Sequence, residues 1–396
     1  MLTSDEAAGR LGIKVETLYA YVSRGQLARV RTPEGSRFNP LDVEELALRR
    51  TPRSVVRRGS VVARPLMVLD TDLAVVEDDE LYFRGQSARE LALTSTVERV
   101  AAWIWCADWE APLTPPPQQD LARAAVLLEA LPAGASRIDQ LSASAIGLGI
   151  TDPWREGASA EALHRAGARF LLGVPHLLGG DASREALTVA DALWLALSPH
   201  SPQTQHVRAL NAALILTIDH DLAISTLSGR IAASGRASGY SVLASALGSF
   251  ASPLHGNTSV SAAALLRSVL EGQAPEHALG EAISTSAARL PGFGHFLYAA
   301  GDCRARTLLE LLPDLPRGPE VSAVVQALAE TVSQRSTLKP NLDLALAAIT
   351  VAADMQDSDG PLLFGLGRSV GWIAHAISEY AEKPLRLRPQ GRYTGP

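Results

Sequence analysis

Three short stretches hold the residues best suited to chemistry: Pro253-Leu254-His255-Gly256, Gly292-Phe293-Gly294-His295 and Pro340-Asn341-Leu342-Asp343. Each sets a histidine or an aspartate in a turn bounded by Pro or Gly. A carboxylate such as Asp343 can take a proton, and an imidazole such as His255 or His295 can donate a hydrogen bond to an oxygen on which charge develops. Arg304, Arg368 and Arg388 lie in further motifs, and a guanidinium fork bonds carboxylates bidentately. Taken singly, each group has a plainer reading. Pro-Leu-His-Gly suits any turn, each Arg can be a surface charge, and Asp343 can be the N-cap of the run LALAAITVAA. His220, and likewise His164, His176, His200, His206, His277 and His375, can be ordinary core or surface histidines. Cys106 and Cys303 offer neither a disulfide framework nor a metal spacing.

The elements that must position these groups read as helices. The 396 residues are 47% hydrophobic but only 5% aromatic, so the core is built from Ala, Leu and Val, a helix-favouring composition. Runs rich in β-branched and aromatic residues are sparse, and the expected class is all-α. The length suffices for two or three domains. The most apolar stretch, Ala209 to Ile218, is interrupted by Asn211 and far short of the roughly 20 residues a membrane span needs. No basic-then-apolar leader opens the sequence, so a cytoplasmic location without membrane contact is the expectation. Net charge is −6, with 11 Lys/Arg against 7 Asp/Glu in residues 1–60 and an acidic balance thereafter. A basic front on an acidic body suggests two modules with different partners.

In that front, Leu2 to Leu11 reads as a helix with Thr3 or Ser4 as N-cap, and Val15 to Val22 as a second helix ended by Gly25. Residues 29–38 read as a small β-wing, and Leu41 to Leu48 as a third helix. The stretches SDEAAGRLGIKVETLYAYVSRGQL and SRFNPLDVEEL resemble a MerR/excisionase winged helix-turn-helix over residues 1–52. That resemblance implies a DNA contact in which Lys14, Thr17, Tyr21 and Arg24 face a groove, and Arg29, Arg31 and Arg37 face phosphates. The competing reading is an interaction or dimer-stabilising appendage. Residues 53–64 read as a linker.

From about residue 65 the chain resembles the citrate synthase family, in LYFRGQSARELALTSTVERVAAWIW, DHDLAIST, SPLHG, LPGFGHFLYAAGDCRAR, PNLDLALAAI, LFGLGRSVGW and LRPQGRY. The resemblance implies a large helical domain over 65–256 and 361–396 and a smaller lid domain over 257–360. It implies that Asp343 is the base, that His255 donates to the thioester oxygen while neutral, its tautomer held by a backbone partner, and that His295 polarises the ketone. His220, Arg304, Arg368 and Arg388 would bind oxaloacetate, Arg388 from the other subunit of a homodimer. Gly292, Phe293 and Gly294 would let backbone approach the coenzyme A adenine. No metal and no tightly bound cofactor is implied; acetyl-CoA is a cosubstrate. Propionyl-CoA in place of acetyl-CoA gives 2-methylcitrate, and the third reading is a metabolite-sensing DNA-binding regulator. Against the family's usual pattern stand Gln86, the run GNTS after His255, Phe296, Cys303 and Leu344. None removes a charged catalytic group.

Overall fold

In the computed structural model, residues 1–33, 35–50, 68–179, 188–252, 255–285, 290–298 and 300–395 are described. The linker expected at 53–64, and Pro253 and Leu254 of the first motif, lie outside them. The chain forms two compact units. One comprises residues 1–70 and 258–352, the other 71–257 and 353–396.

The first unit opens with α1 (Ser4–Leu11) and α2 (Val15–Ser23), followed by strands β1 (Val30–Thr32) and β2 (Gly35–Arg37) and helix α3 (Pro40–Arg50). Thr3 and Glu6 close a capping box at the start of α1, and Gly12 ends the helix in the left-handed conformation at φ 62°, as a residue without Cβ permits. The helix does not begin at Leu2. That residue pairs instead with Phe38, beyond the β1–β2 hairpin. Asn39 accepts the Leu41 amide at 2.9 Å, and Pro40 begins α3, which runs to Arg50, beyond the expected Leu48. Leu2, Leu11, Leu18, Leu27, Phe38 and Val43 belong to one small core. The other described α-helices of this unit are Thr258–Leu270, Pro275–Thr285, Cys303–Leu311, Gly318–Ser333 and Leu342–Ala352.

The second unit departs from the all-α expectation at its start. Strands β3 (Ala74–Glu77), β4 (Glu80–Phe83) and β5 (Gln86–Ser87) form an antiparallel sheet. Asp78 and Asp79, at φ 51° and 61°, and Arg84 and Gly85, at φ 44° and 81°, make the tight two-residue turns that match strand twist. The strands are too short for a strong periodic signal, although Leu81 and Phe83 alternate inward. Beyond the sheet its described elements are helices, built around Asp359–Tyr380, which is buried at every residue from Asp359 to Ala376. A Cβ on Gly367 would collide with Leu214 and Thr217, and one on Gly371 with the Ile218 carbonyl. Glycine at both positions therefore permits the backbone approach that sets the Thr217–His220 turn against this helix. Among the described residues, no helix is long and apolar enough to cross a membrane, and no group of three or more His, Cys, Asp or Glu could hold a metal ion.

Candidate active site

The predicted residues fall into two sets, one on each unit. In the first unit, Asp343 sits in the opening turn of Leu342–Ala352 but is not its cap. Asn341 takes that role, its Oδ1 accepting from the amides of Asp343 at 3.0 Å and Leu344 at 3.3 Å. The Asp343 carboxylate is thereby released from capping and accepts the Thr258 hydroxyl at 2.7 Å. Desolvation pushes its pKa up to about 6, with Asp302 adding to the rise and Thr258 and Arg304 opposing it.

The His295 turn is laced to the same element. Asn341 donates from its backbone to Gly292 O at 3.0 Å and from its side chain to Gly294 O at 3.0 Å. Gly294 N donates to Lys339 O at 2.8 Å, and Phe293 pairs with Pro340 as an isolated β-bridge. Gly292 and Gly294 adopt φ 79° and 83°, and the space a Cβ would need is taken by Leu344 and Leu338. The packing of the turn thus accounts for both glycines. His295 Nδ1 accepts the Leu297 amide at 3.2 Å, which leaves Nε2 as the nitrogen that carries the proton in the neutral ring. Burial lowers the His295 pKa to about 4, assisted by the Arg304 charge and opposed by Asp302.

Arg304 is buried and held by Asp302 through Nε at 2.9 Å and Nη2 at 2.8 Å. Asp302 also caps Cys303–Leu311 through the Arg304 amide at 3.0 Å and accepts the Leu342 amide at 3.1 Å. The Tyr298 ring lies under the guanidinium, 5.4 Å from its carbon.

In the second unit, His255 follows Gly239–Phe250 in a turn closed by Gly256 N donating to Phe250 O at 2.9 Å. Its Nε2 lies 2.8 Å from the Ser225 hydroxyl, which also accepts Trp372 Nε1 at 3.3 Å. A side chain therefore holds this nitrogen. Phe250 and Phe364 present their edges to the imidazole, with centroids at 5.0 and 6.0 Å. Burial, with a contribution from Arg368, lowers its pKa to about 4, so the ring is neutral near pH 7. Arg368 is buried, donates to Thr217 O at 2.7 Å and lies over Phe364 at 5.0 Å. His220 is buried two residues beyond Ile218. Its neighbour Asp219 makes a buried 3.0 Å contact with His375 Nε2. Arg388 is exposed, on a tail fixed by Leu385 N to Ser234 O at 2.8 Å and by Arg386 to Glu379 at 2.6 and 2.8 Å.

Asn341, Asp302, Thr258, Ser225 and the Asp219–His375 pair escape a reading by motif role. Asn341 and Asp302 lie inside the quoted motifs PNLD and GDCRAR, so local turn chemistry pointed toward them. His375, taken as an ordinary core histidine, pairs with a residue 156 positions away, beyond any local pattern.

In the N-terminal module, Lys14, Thr17, Arg24 and Arg31 are exposed. Tyr21 packs partly against the module's core and Arg37 is half-buried.

Half-buried imidazoles with low pKa, a carboxylate with raised pKa and buried arginines are the features of a helical enzyme. The sequence matches the citrate synthase C-terminal domain family over residues 63–390, and the chain belongs to the citrate synthase family. Citrate synthase 2 of Bacillus subtilis is 28% identical over 262 residues, which cover 63% of this chain and 70% of that one. A 2-methylcitrate synthase of Mycobacterium tuberculosis is 26% identical over 363 residues, covering 83% and 89% of the two chains. The fold is shared with citrate synthase from Thermoplasma acidophilum, solved as a ternary complex with carboxymethyl coenzyme A and oxaloacetate. That match has a TM-score of 0.68 and 21% identity, covering 84% of this chain and 95% of the other.

Proposed function

We propose that this chain condenses acetyl-CoA with oxaloacetate and hydrolyses the resulting citryl-CoA to citrate and CoA. The observation that carries the proposal is Asp343: a carboxylate freed from capping by Asn341, desolvated to a pKa of about 6 and laced to the His295 turn. A base is most effective when its pKa lies near the working pH.

A thioester methyl gives up a proton only if the enolate oxygen is stabilised in the same step. Asp343 takes the proton, and neutral His255 donates to the thioester oxygen. If Nε2 carries the proton toward the thioester, Ser225 must reorient or yield; if Nδ1 carries it, Ser225 donates to Nε2 and fixes that tautomer. Trp372, by donating to Ser225, favours the second arrangement. The enol carbon then attacks the ketone carbon, whose oxygen His295 polarises, and Arg304, Arg368 and His220 bind the oxaloacetate carboxylates. Water hydrolyses the thioester and releases CoA. Preorganised donors at the developing oxyanion are the larger contribution. Gly292, Phe293 and Gly294 are assigned to the CoA side of the site.

Propionyl-CoA adds one methylene, which a pocket discriminates by only about 1–3 kcal/mol, and the 2-methylcitrate synthase relative keeps that reading open. Steady-state assays of the full chain with oxaloacetate and each acyl-CoA decide between them. Turnover with neither, while oxaloacetate still binds, supports the regulator reading.

The working form is assigned as a homodimer in the cytoplasm. Exposed Val126, Ile146, Ile150 and Trp154, on or next to Gln118–Glu129 and Arg137–Thr151, support a self-association face, since exposed apolar groups of this size favour contact with a partner. Arg388 is assigned to the partner's oxaloacetate. Mixing inactive Arg388→Ala chains with inactive Asp343→Asn chains is expected to restore activity, because one site of each heterodimer then has both groups. No recovery despite proven subunit exchange removes the sharing. Residues 1–52 are assigned as a winged helix-turn-helix that offers Lys14, Thr17, Tyr21, Arg24, Arg31 and Arg37 to DNA. Selection from a random DNA pool, with and without Arg31→Ala plus Arg37→Ala, tests it.

A further inference from the structure

The third helix of the N-terminal module grips a segment that leads directly into both catalytic turns of the first unit. Asp42 accepts from Arg335 Nη1 at 3.2 Å with one carboxylate oxygen and 3.4 Å with the other. Glu45 Oε2 accepts the Ser336 hydroxyl at 2.9 Å and the Thr337 amide at 3.4 Å. Its Oε1 is held by Arg49 Nε at 3.1 Å. Ser336 passes the constraint on, accepting the Leu338 amide at 3.3 Å.

Leu338 fills the space beside Gly294, coming within 2.5 Å of where a Cβ would stand. Lys339, Pro340 and Asn341 then supply the bonds and the bridge that hold residues 292–294, and Asn341 caps the helix carrying Asp343. Five residues after Ser336, the chain has met both catalytic elements of this unit. These contacts commit two carboxylates of the module that could otherwise face solvent, Asp42 and Glu45, to partners more than 290 positions away in sequence.

We propose that residues 336–341 act as a strap by which the N-terminal module positions the His295 turn and the start of the Asp343 helix. Glu45 is a positioning residue for the reaction. The inference rests on the citrate synthase reading for its kinetic arm and on the hydrogen-bond geometry alone for its structural arm. Misplacing a catalytic group by about 1 Å can cost up to about 10²-fold in rate. A slackened strap therefore lowers kcat and leaves the binding of oxaloacetate largely intact.

The test uses the full chain. Glu45→Ala and, separately, Ser336→Ala are expected to lower kcat about tenfold with KM for oxaloacetate within about twofold. The double variant should lose no more than the worse single one, because both remove one link. Glu45→Gln keeps an acceptor for Ser336 and should stay within about twofold of the parent. Hydrogen exchange, followed in parallel, should accelerate at the amides of Gly294 and Asn341 in Glu45→Ala, with helix Asp359–Tyr380 unchanged. Additive losses, or unchanged kcat with unchanged exchange, overturn the strap. So does a uniform fall in protection throughout the chain, which marks Glu45 as a general stabiliser. If the parent turns over neither acyl-CoA, the citrate synthase reading fails by itself, and the exchange at Gly294 and Asn341 still decides the strap.

Discussion

The two sets of site residues are held by opposite means. In the first unit, Asp343 and His295 sit in turns, and the fixing is done by backbone: Asn341 to Gly292 and Gly294, Gly294 to Lys339, Phe293 against Pro340. In the second unit, Arg368 rises from the buried stretch Asp359–Ala376 of its helix and His255 lies among Phe250, Phe364 and Ser225. There the fixing is done by side-chain packing. Turns can be aimed by a few hydrogen bonds and are correspondingly easy to misaim, whereas a group on a packed helix moves only if the core moves. Asp343, the proposed base, occupies the adjustable kind of support, and Arg368, a proposed carboxylate ligand, the rigid kind.

The largest expected effect breaks the first support at its chemistry. Asp343→Asn should lower kcat by at least about 10²-fold, the minimum a general base contributes. It should also stabilise the fold. The carboxyl titrates near 3.8 when unperturbed and about 6 in the fold, so the folded state holds the proton more tightly between those values. Stability derived from that proton is present at low pH and lost as pH rises through the window. At neutral pH the substitution therefore recovers about 1–3 kcal/mol. Thermal melts at pH 5 and pH 8 check this, with the larger gain at pH 8. In the parent, kcat should fall below about pH 6 as Asp343 protonates, well before His255 and His295 become charged. An acid limb near pH 4 would remove Asp343 as its origin.

Next comes the turn itself. Gly294→Ala must place a Cβ at φ 83° against Leu338, at a cost of about 1–3 kcal/mol. Because the strain falls on the His295 turn, kcat should drop about ten- to a hundredfold, and a melt with paired kinetics separates the two. The smallest effect is expected in the packed set. Ser225→Ala removes a hydrogen-bond partner of His255 and of Trp372, yet Phe250 and Phe364 still confine the ring. A loss of about tenfold in kcat is expected. A loss as large as that of Asp343→Asn would mean that the hydroxyl, not the packing, holds the imidazole.

The groups proposed for the chemistry were legible in the sequence because each lies in a short run marked by its own neighbours: Gly around His295, Pro-Asn before Asp343, Pro and Gly around His255. Helix bounds followed capping residues closely, as at Thr3 and Gly12. What stayed hidden was set by distance. Thr258 meets Asp343 across 85 positions, Asp219 meets His375 across 156, and Glu45 meets Ser336 across 291. None of these pairs has a local spacing to betray it. The β3–β5 sheet was missed for another reason. Its strands of two to four residues carry too few alternations to stand out against an Ala/Leu-rich background.

The first unit is assembled from the two ends of a long excursion, residues 1–70 and 258–352, with residues 71–257 between them. On the ribosome the small core of Leu2, Leu18 and Phe38 emerges early, while the segment that Glu45 grips emerges about three hundred residues later. Contacts of such high sequence separation carry a large loop-closure cost and form slowly. The turns bearing His295 and Asp343 can be drawn taut only after that closure. Synthesis order therefore makes the Asp343 carboxylate one of the later groups to reach its environment, and a nascent chain released before residue 336 has a finished N-terminal core but lacks the segment that Glu45 holds.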